Sequence, residues 1–472
     1  DGIRGTANTP PMTADIALHD VELQLGKSQP AITLQSLTGR VEGRVRKNGY
    51  AASARHLSLR LQDGLHVDPT DFDFDWNDAT PQTLATGSFS ANQLDFDTLA
   101  RLAERLPFDV ATRRQLADYA PRGLLQDLKV SWSLKPPGNP GVDELPVLEK
   151  YGIQASFSRL SLNAQGALPG FTGLTGSVRG DEKGGSFRLD SQEAALALPE
   201  IFADPRIELG KLEARASWTA DQNAIDVHLQ EARFENQDAA GVVSGNYTYP
   251  HSGQTAGVID LSARLTRGQG NAVWRYIPIV AGQEVRDWLR TSLIGGHSND
   301  TTLRLKGDLQ HFPFDDGSGI FEVKGHVQGA NLNYAEGWPQ IDNIQGALEF
   351  AGKRMTITAE RASLYGVALS QVRAEIPDLG ATDPQLSISG KASGPTADFL
   401  RFIETSPVGE QIGHFTEDMT AQGNGALDLK LLLPLNRLAD ARIDGRYQFN
   451  ANRIKVDTEL PMLGDVQGRL QF

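Results

Sequence analysis

The segment Leu427-Asp428-Leu429-Lys430-Leu431-Leu432-Leu433 decides the fold class. Leucine returns at every second position, 427, 429, 431 and 433, opposite Asp428 and Lys430. A period of two is the period of a β-strand, so one edge of this segment is apolar and the other wet. The same alternation recurs along the chain. Leu57, Leu59 and Leu61 alternate with Ser58 and Arg60, and Phe72, Phe74 and Trp76 with Asp71, Asp73 and Asp75. Ile225, Val227 and Leu229 alternate with Asp226 and His228, and Leu303 and Leu305 follow the same rule. Strands covered on both faces would read as continuous apolar runs, so the pattern predicts antiparallel sheet with one solvated face.

Three stretches carry a helical period instead. Leu99, Leu102, Ala103 and Leu106 form one stripe, with a second short helix around Arg113 to Tyr119. Val273 to Tyr276 and Gln283 to Leu293 form the next pair. Phe399, Phe402 and Ile403 follow Pro395, which suits the first turn of a helix. Pro107, Pro278 and Pro407 split the three inserts, because proline has no amide hydrogen to continue a helix.

A phrase of apolar, any, Gly, any, apolar recurs at Leu37 to Val41, Leu174 to Val178, Ile344 to Leu348 and Val466 to Leu470. The last three copies have a proline seven residues before the glycine, at Pro169, Pro339 and Pro461; in the first, Pro30 lies nine before Gly39. The splitting prolines keep step, standing 69, 68 and 61 residues before Gly176, Gly346 and Gly468. These glycines suit bends or close backbone approach. Two features repeating in the same order predict one continuous section over residues 1–472. Its approximate repeat units are 1–168, 169–338, 339–460 and the start of another at 461–472. The fold expected is mainly β: an elongated, twisted antiparallel β-groove, taco-like, with three short helix-pair inserts. With some 25–30 strands at about 4.8 Å each, it would extend on the order of 120–145 Å.

Composition narrows the function. The 472 residues hold 59 acidic and 45 basic side chains, a net charge of −14, which argues against nucleic acid as a partner. There is no cysteine, which removes disulfides, thiolate metal sites and thiol nucleophiles. The nine histidines are scattered. Asp71, Asp73, Asp75 and Asn77 have the spacing of a calcium loop but Trp76 where its glycine belongs, and read as a solvated strand face. His311, Asp315, Asp316 and His326 lack ligand spacing and read as surface loops. Gly268-Gln269-Gly270 lacks the context of a dinucleotide site. Asn246-Tyr247-Thr248 reads as a chance glycosylation match, and Trp274, Trp288 and Trp338 as structural anchors. No catalytic residue, cofactor or metal is expected, and the chain reads as no enzyme.

A sheet of this length must cover its apolar face along its whole course, and three helix pairs are too few. An open apolar channel therefore points to acyl chains, each buried methylene contributing about 0.8 kcal/mol. The candidate lining residues are Leu57, Leu59, Leu61, Phe72, Phe74, Trp76, Ile225, Val227, Leu229, Leu303, Leu305, Leu427, Leu429, Leu431 and Leu433. A closed-core structural or adhesion scaffold is the alternative. An enzyme acting on polysaccharide would need paired carboxylates in a cleft.

One further set of strings carries a family resemblance. These are Trp274-Arg275-Tyr276-Ile277-Pro278, Trp288-Leu289, Gly295-Gly296, Gly307-Asp308-Leu309, His311-Phe312-Pro313-Phe314, Gly319-Ile320-Phe321, Leu332-Asn333-Tyr334 and Gly337-Trp338-Pro339. Upstream stand Ala120-Pro121-Arg122-Gly123 with Trp132, Phe202-Ala203-Asp204-Pro205, and Phe234 to Gly241. Together they resemble the YhdP branch of the AsmA-like proteins of Gram-negative bacteria, along essentially the whole chain. The resemblance implies a bridge-like carrier of phospholipids between inner and outer membranes. Such a carrier is periplasmic, anchored in the inner membrane by an N-terminal helix, and without catalytic residues. Asp1-Gly2-Ile3 has no initiator methionine and Leu470-Gln471-Phe472 stops within a strand pattern, so an interior section without the anchor is expected. The implied partners are phospholipid acyl chains and the two membranes, reached through parts of a parent protein; the chain itself is expected to be monomeric.

Overall fold

The computed structural model describes residues 10–23, 32–80, 82–103, 110–135, 147–166, 168–251, 256–457 and 459–472. The chain divides into two compact units, Asp1–Asn236 and Gln237–Phe472.

Unit 1 contains β1 (Met12–Leu23), β2 (Ile32–Arg46), β3 (Gly49–Leu61), β4 (His66–Asn77), β5 (Ala85–Asp95), α1 (Phe96–Ala103), α2 (Val110–Tyr119), β6 (Arg122–Lys135), β7 (Val147–Leu162), β8 (Gly170–Asp181), β9 (Gly184–Ala197), β10 (Arg206–Ala220) and β11 (Ala224–Glu235). Each strand pairs antiparallel with the next.

Unit 2 begins with β12 (Ala239–Pro250) and β13 (Val258–Gln269). Short 3-10 turns at Gly270–Tyr276 and Ile279–Ala281 lead to α3 (Gln283–Ser292). Then follow β14 (His297–Ser298), β15 (Thr302–Asp308), β16 (Ile320–Leu332), β17 (Ile341–Ala351), β18 (Arg354–Leu364), β19 (Val367–Ile376), β20 (Gln385–Pro395), α4 (Thr396–Glu404), α5 (Val408–Gln411), β21 (Thr420–Pro434), β22 (Arg442–Lys455) and β23 (Leu463–Gln471). β14 and β15 lie end to end between β13 and β16 and share one lane of the sheet.

The chain is mainly β, as the period of two requires. Among the described residues there are 23 strands, fewer than the 25–30 expected, because the strands are long; β7 alone runs 16 residues. The predicted inserts appear, with corrections. Pro395 does not enter the first turn of α4 but precedes it in extended backbone, as its N-cap. Val273 to Tyr276 belongs to a 3-10 turn, not an α-helix. Pro278 separates the two 3-10 turns and Pro407 immediately precedes α5. Leu106, Pro107 and Pro30 lie outside the described residues.

Two-residue turns close several hairpins, among them Gly352-Lys353 and Tyr365-Gly366, where Gly352 and Tyr365 take the positive φ that matches strand twist. A second set of positive φ values, 51–55°, falls inside strands, at Asp20, His56, Asp127, Arg159, Glu193, Asn343, Gln371, Ala451 and Asp465. Most coincide with register shifts, as at His56 between Ala54 and Leu57. They are β-bulges, which bend the strand and increase its twist. Two of the recurring glycines are required by crowding. A Cβ on Gly176 would collide with the carbonyl of Arg188, and one on Gly346 with that of Thr358.

Within each unit the core gathers at the strand ends that carry the helical inserts. On β3, Leu61 is 1% exposed while Tyr50, at the far end, is 48% exposed; on β22, Ile454 is 6% and Ile443 54%. In unit 1, Ile32, Leu34, Leu61 and Leu65 form a cluster against which Leu102 of α1 packs. A second cluster joins Phe157, Leu174, Ala194, Leu209 and Leu212 of β7 to β10, with Leu125 and Phe234 from the flanking strands against it. These residues come from one face of successive strands, so each packs against its lane neighbours. In unit 2, Phe399 of α4 packs edge-on against Tyr447, with ring centroids 5.0 Å apart.

Candidate functional site: the apolar sheet face

Cross-strand register builds the site. In unit 1, ten directly opposed residues run from β2 to β11: Gly43, Ala52, Phe74, Phe89, Val130, Ile153, Gly180, Gly185, Trp218 and Val227. None has a polar group except the indole of Trp218. The row beside it reads Val41, Ala54, Phe72, Ala91 and Leu128, then Ala155, Val178, Phe187, Ala216 and Leu229. Aromatic rings meet along it: Tyr50 with Phe74 at 5.7 Å, Phe74 with Trp132 at 6.1 Å and Phe187 with Trp218 at 6.5 Å. One residue along each strand, on the opposite face, the row is Glu42, Ser53, Asp73, Ser90, Lys129, Gln154, Arg179, Ser186, Ser217 and His228. One sheet thus carries a wholly polar row back to back with an apolar one.

Unit 2 repeats the design. Val243, Ala263, Leu303, Val323, Phe350, Met355 and Ile376 form one apolar row. Gly325, Leu348, Ile357, Ala374, Ile388, Leu431 and Ile443 form another. Leu305 stands between Leu261 and Phe321, and Leu427 between Ala392 and Tyr447.

All fifteen candidate residues lie on the apolar face of their unit. Leu57 and Leu59 reach it because the bulge at His56 keeps them on the side of Ala54. Fourteen are half-buried. Leu61 differs: it is closed inside the cluster against which Leu102 packs. Sequence reading missed Phe89, Val130, Ile153, Phe187 and Trp218 in unit 1, and Val323, Phe350, Met355 and Ile388 in unit 2. The signal was there, since Ile153-Gln154-Ala155-Ser156-Phe157 and Phe187-Arg188-Leu189 alternate as plainly as Leu57 to Leu61 does.

A chain of rings closes the helix end of unit 2. The Trp288 indole N–H donates to the Tyr334 carbonyl at 3.2 Å. Tyr334 packs on Trp338 and Trp338 on Phe402, each at 5.9 Å. Burial pushes the Tyr334 phenol up to about 12, so it stays neutral. Behind α4, Asn452 is fully buried. The Thr396 hydroxyl donates to its carbonyl oxygen at 2.5 Å, and its amide donates to the Asn424 carbonyl at 2.8 Å. The Tyr447 hydroxyl donates to Thr396 at 2.9 Å.

Charge is confined to the other face, mostly as ion pairs: Arg40–Asp15 at 2.7 Å, Arg55–Asp73 at 2.6 Å, Arg46–Asp75 at 2.7 Å and Arg304–Asp260 at 2.5 Å. Hydrogen bonds from the guanidinium groups hold Asp15 and Asp260 below the usual carboxylate range. Among the described residues no three His, Asp or Glu side chains assemble as a metal site, and no helix is long and apolar enough to cross a membrane. His326 instead bonds Asp300 at 2.6 Å, and Asp315 pairs with Lys353.

The intermembrane phospholipid transporter YhdP of Escherichia coli (strain K12) is 25% identical over 334 residues, which cover 70% of this chain and 26% of that protein. The chain therefore matches about a quarter of its relative's length. No solved structure matches. The family described as YhdP protein matches residues 7–472, and the chain belongs to that family.

Proposed function

We propose that this chain is a section of a bridge-like lipid transfer protein that carries phospholipids between inner and outer membranes along its apolar face. The observation that carries the reading is the pair of back-to-back rows: apolar residues aligned lane after lane, half-buried and uninterrupted by charge. Such a surface holds an acyl chain by burial alone, at about 0.8 kcal/mol per methylene. It gives no position a special grip, so a chain can slide. The relative's role in intermembrane phospholipid transport supports the same reading. The work is non-covalent and needs no cofactor. The setting is the periplasm, within a parent protein anchored in the inner membrane, and the body acts as a monomer. The glycine phrases and helical inserts then mark repeat units of one continuous bridge.

The test is photo-crosslinking in a Gram-negative host. A benzophenone side chain at Phe74, Ile153 or Leu431 is expected to capture phospholipid, and one at Gln154 or Lys430 is not. Capture only from the polar positions would overturn the proposal. Leu429→Asp or Leu431→Arg is expected to abolish transfer, because a charge on the track must be desolvated as each tail passes.

A further inference from the structure

The polar face of unit 1 has one region where the pairing of charges fails. Lys129 and Arg179 flank Gln154 in the ten-residue polar row. In the row beside it, Arg188 of β9 stands directly opposite Arg215 of β10, with Ser177 on the other side of Arg188. All four cations are exposed. None of them forms an ion pair among the described residues, whereas neighbouring Lys211 and Arg233 bind Glu213 and Glu231 at 2.7 and 2.9 Å. Glu231, which faces Arg215 from β11, is thus already engaged. Asp190 and Glu213 oppose each other in the following row, and Asp181 lies two residues from Arg179. Like charges placed directly opposite on a sheet are destabilising, and here two guanidinium groups are so placed on a chain of net charge −14. The same face is concave on the side of Lys129 and Arg179. A hollow of about 1060 Å³ is lined by Lys129, Gln154, Arg179 and Ser186 together with Arg44, the paired Arg55 and Asp73, and the carboxylates of Glu42, Asp75 and Asp181; Arg188 and Arg215 stand outside it.

We propose that Lys129, Arg179, Arg188 and Arg215 form a binding site for clustered phosphate groups on the outer, polar face of unit 1. Guanidinium forks match phosphate oxygens in pairs. Ser186 at the hollow, and Ser177 and Ser217 beside the two arginines, add hydroxyl donors. A bound anion would relieve the repulsion between Arg188 and Arg215. The site lies on the face away from the apolar rows and does not depend on the lipid-carrying reading.

Titration of the chain with sodium pyrophosphate at low salt, followed by calorimetry and by thermal unfolding, tests it. Wild type is expected to bind and to melt at a higher temperature with the ligand. The double variant Arg188→Gln/Arg215→Gln is expected to bind at least tenfold more weakly, yet to melt no lower than wild type without ligand, which shows that it folds. Lys211→Gln, which alters a paired cation on the same face, is expected to bind as wild type does. No binding by wild type, or equal losses in the double variant and in Lys211→Gln, would overturn the proposal. Flotation with phosphatidylglycerol vesicles identifies the source. Retention of wild type but not of the double variant points to phosphates of a bilayer surface. Pyrophosphate binding without retention points to a soluble phosphate compound.

Discussion

The two units seal the helix end of their apolar faces by different means. Unit 1 uses largely aliphatic packing, and its larger cluster needs no helix: Phe157, Leu174, Ala194, Leu209 and Leu212 pack together across the adjacent strands β7 to β10. Unit 2 uses α4, held by rings on one side and by a buried polar network of Asn452, Thr396 and Tyr447 on the other. An aliphatic clasp is tolerant of small shifts, since dispersion has no direction. A hydrogen-bonded clasp fixes one geometry, because each unmade bond leaves a desolvated group. On this argument the helix end of unit 2 is expected to be the more rigidly held, and that of unit 1 the more adaptable.

The largest expected effect attacks the aliphatic clasp. Leu174→Ala leaves a cavity among the strands of that cluster and is expected to cost about 2–5 kcal/mol, read as a lowered urea midpoint. Loss of less than about 1 kcal/mol would mean that the cluster collapses around the gap and the clasp is looser still. Next comes Asn452→Ala, expected to cost about 1–3 kcal/mol by stranding the Thr396 hydroxyl and the Asn424 carbonyl. Its effect and that of Thr396→Val are expected to be strongly non-additive in a double-mutant cycle; simple additivity would break the claim that they act as one network. The smallest effect is electrostatic. The Tyr334 phenol is raised by burial to about 12 from an ordinary 10.0. A raised acid contributes stability that is complete below its ordinary value and lost as pH climbs towards the raised one. Wild type is thus expected to lose stability over that window more steeply than Tyr334→Phe. Parallel curves would place Tyr334 in contact with water.

The strand character and the polarity of each face were legible because side chains alternate strictly along a strand. A helix over Leu427 to Leu433 would scatter its leucines around the axis, whereas a strand gathers four of them on one face. What alternation cannot show is the bulge. Between Ala54 and Leu57 the stretch breaks step, and only the positive φ at His56 returns Leu57, Leu59 and Leu61 to the side of Ala54. Nor could it show that Leu61 is sealed while Phe72 stays half-open, since that depends on where α1 lands. The charged site on the polar face was equally hidden. Arg188 and Arg215 are far apart in the chain, and only the register of β9 with β10 sets them opposite each other.

The shared lane of β14 and β15 bears on how such a body can grow. With that lane counted once, β13 and β20 stand six lanes apart in unit 2. In an antiparallel sheet an even separation makes them run in the same direction, so the inserts that follow them emerge at the same edge. Adding or deleting a single strand between them would throw one insert to the opposite edge and turn the rest of the chain around. Lengthening is therefore quantised in hairpins: the reach of the sheet can change only in steps of two strands, about 10 Å each, if both lids are to stay on one side.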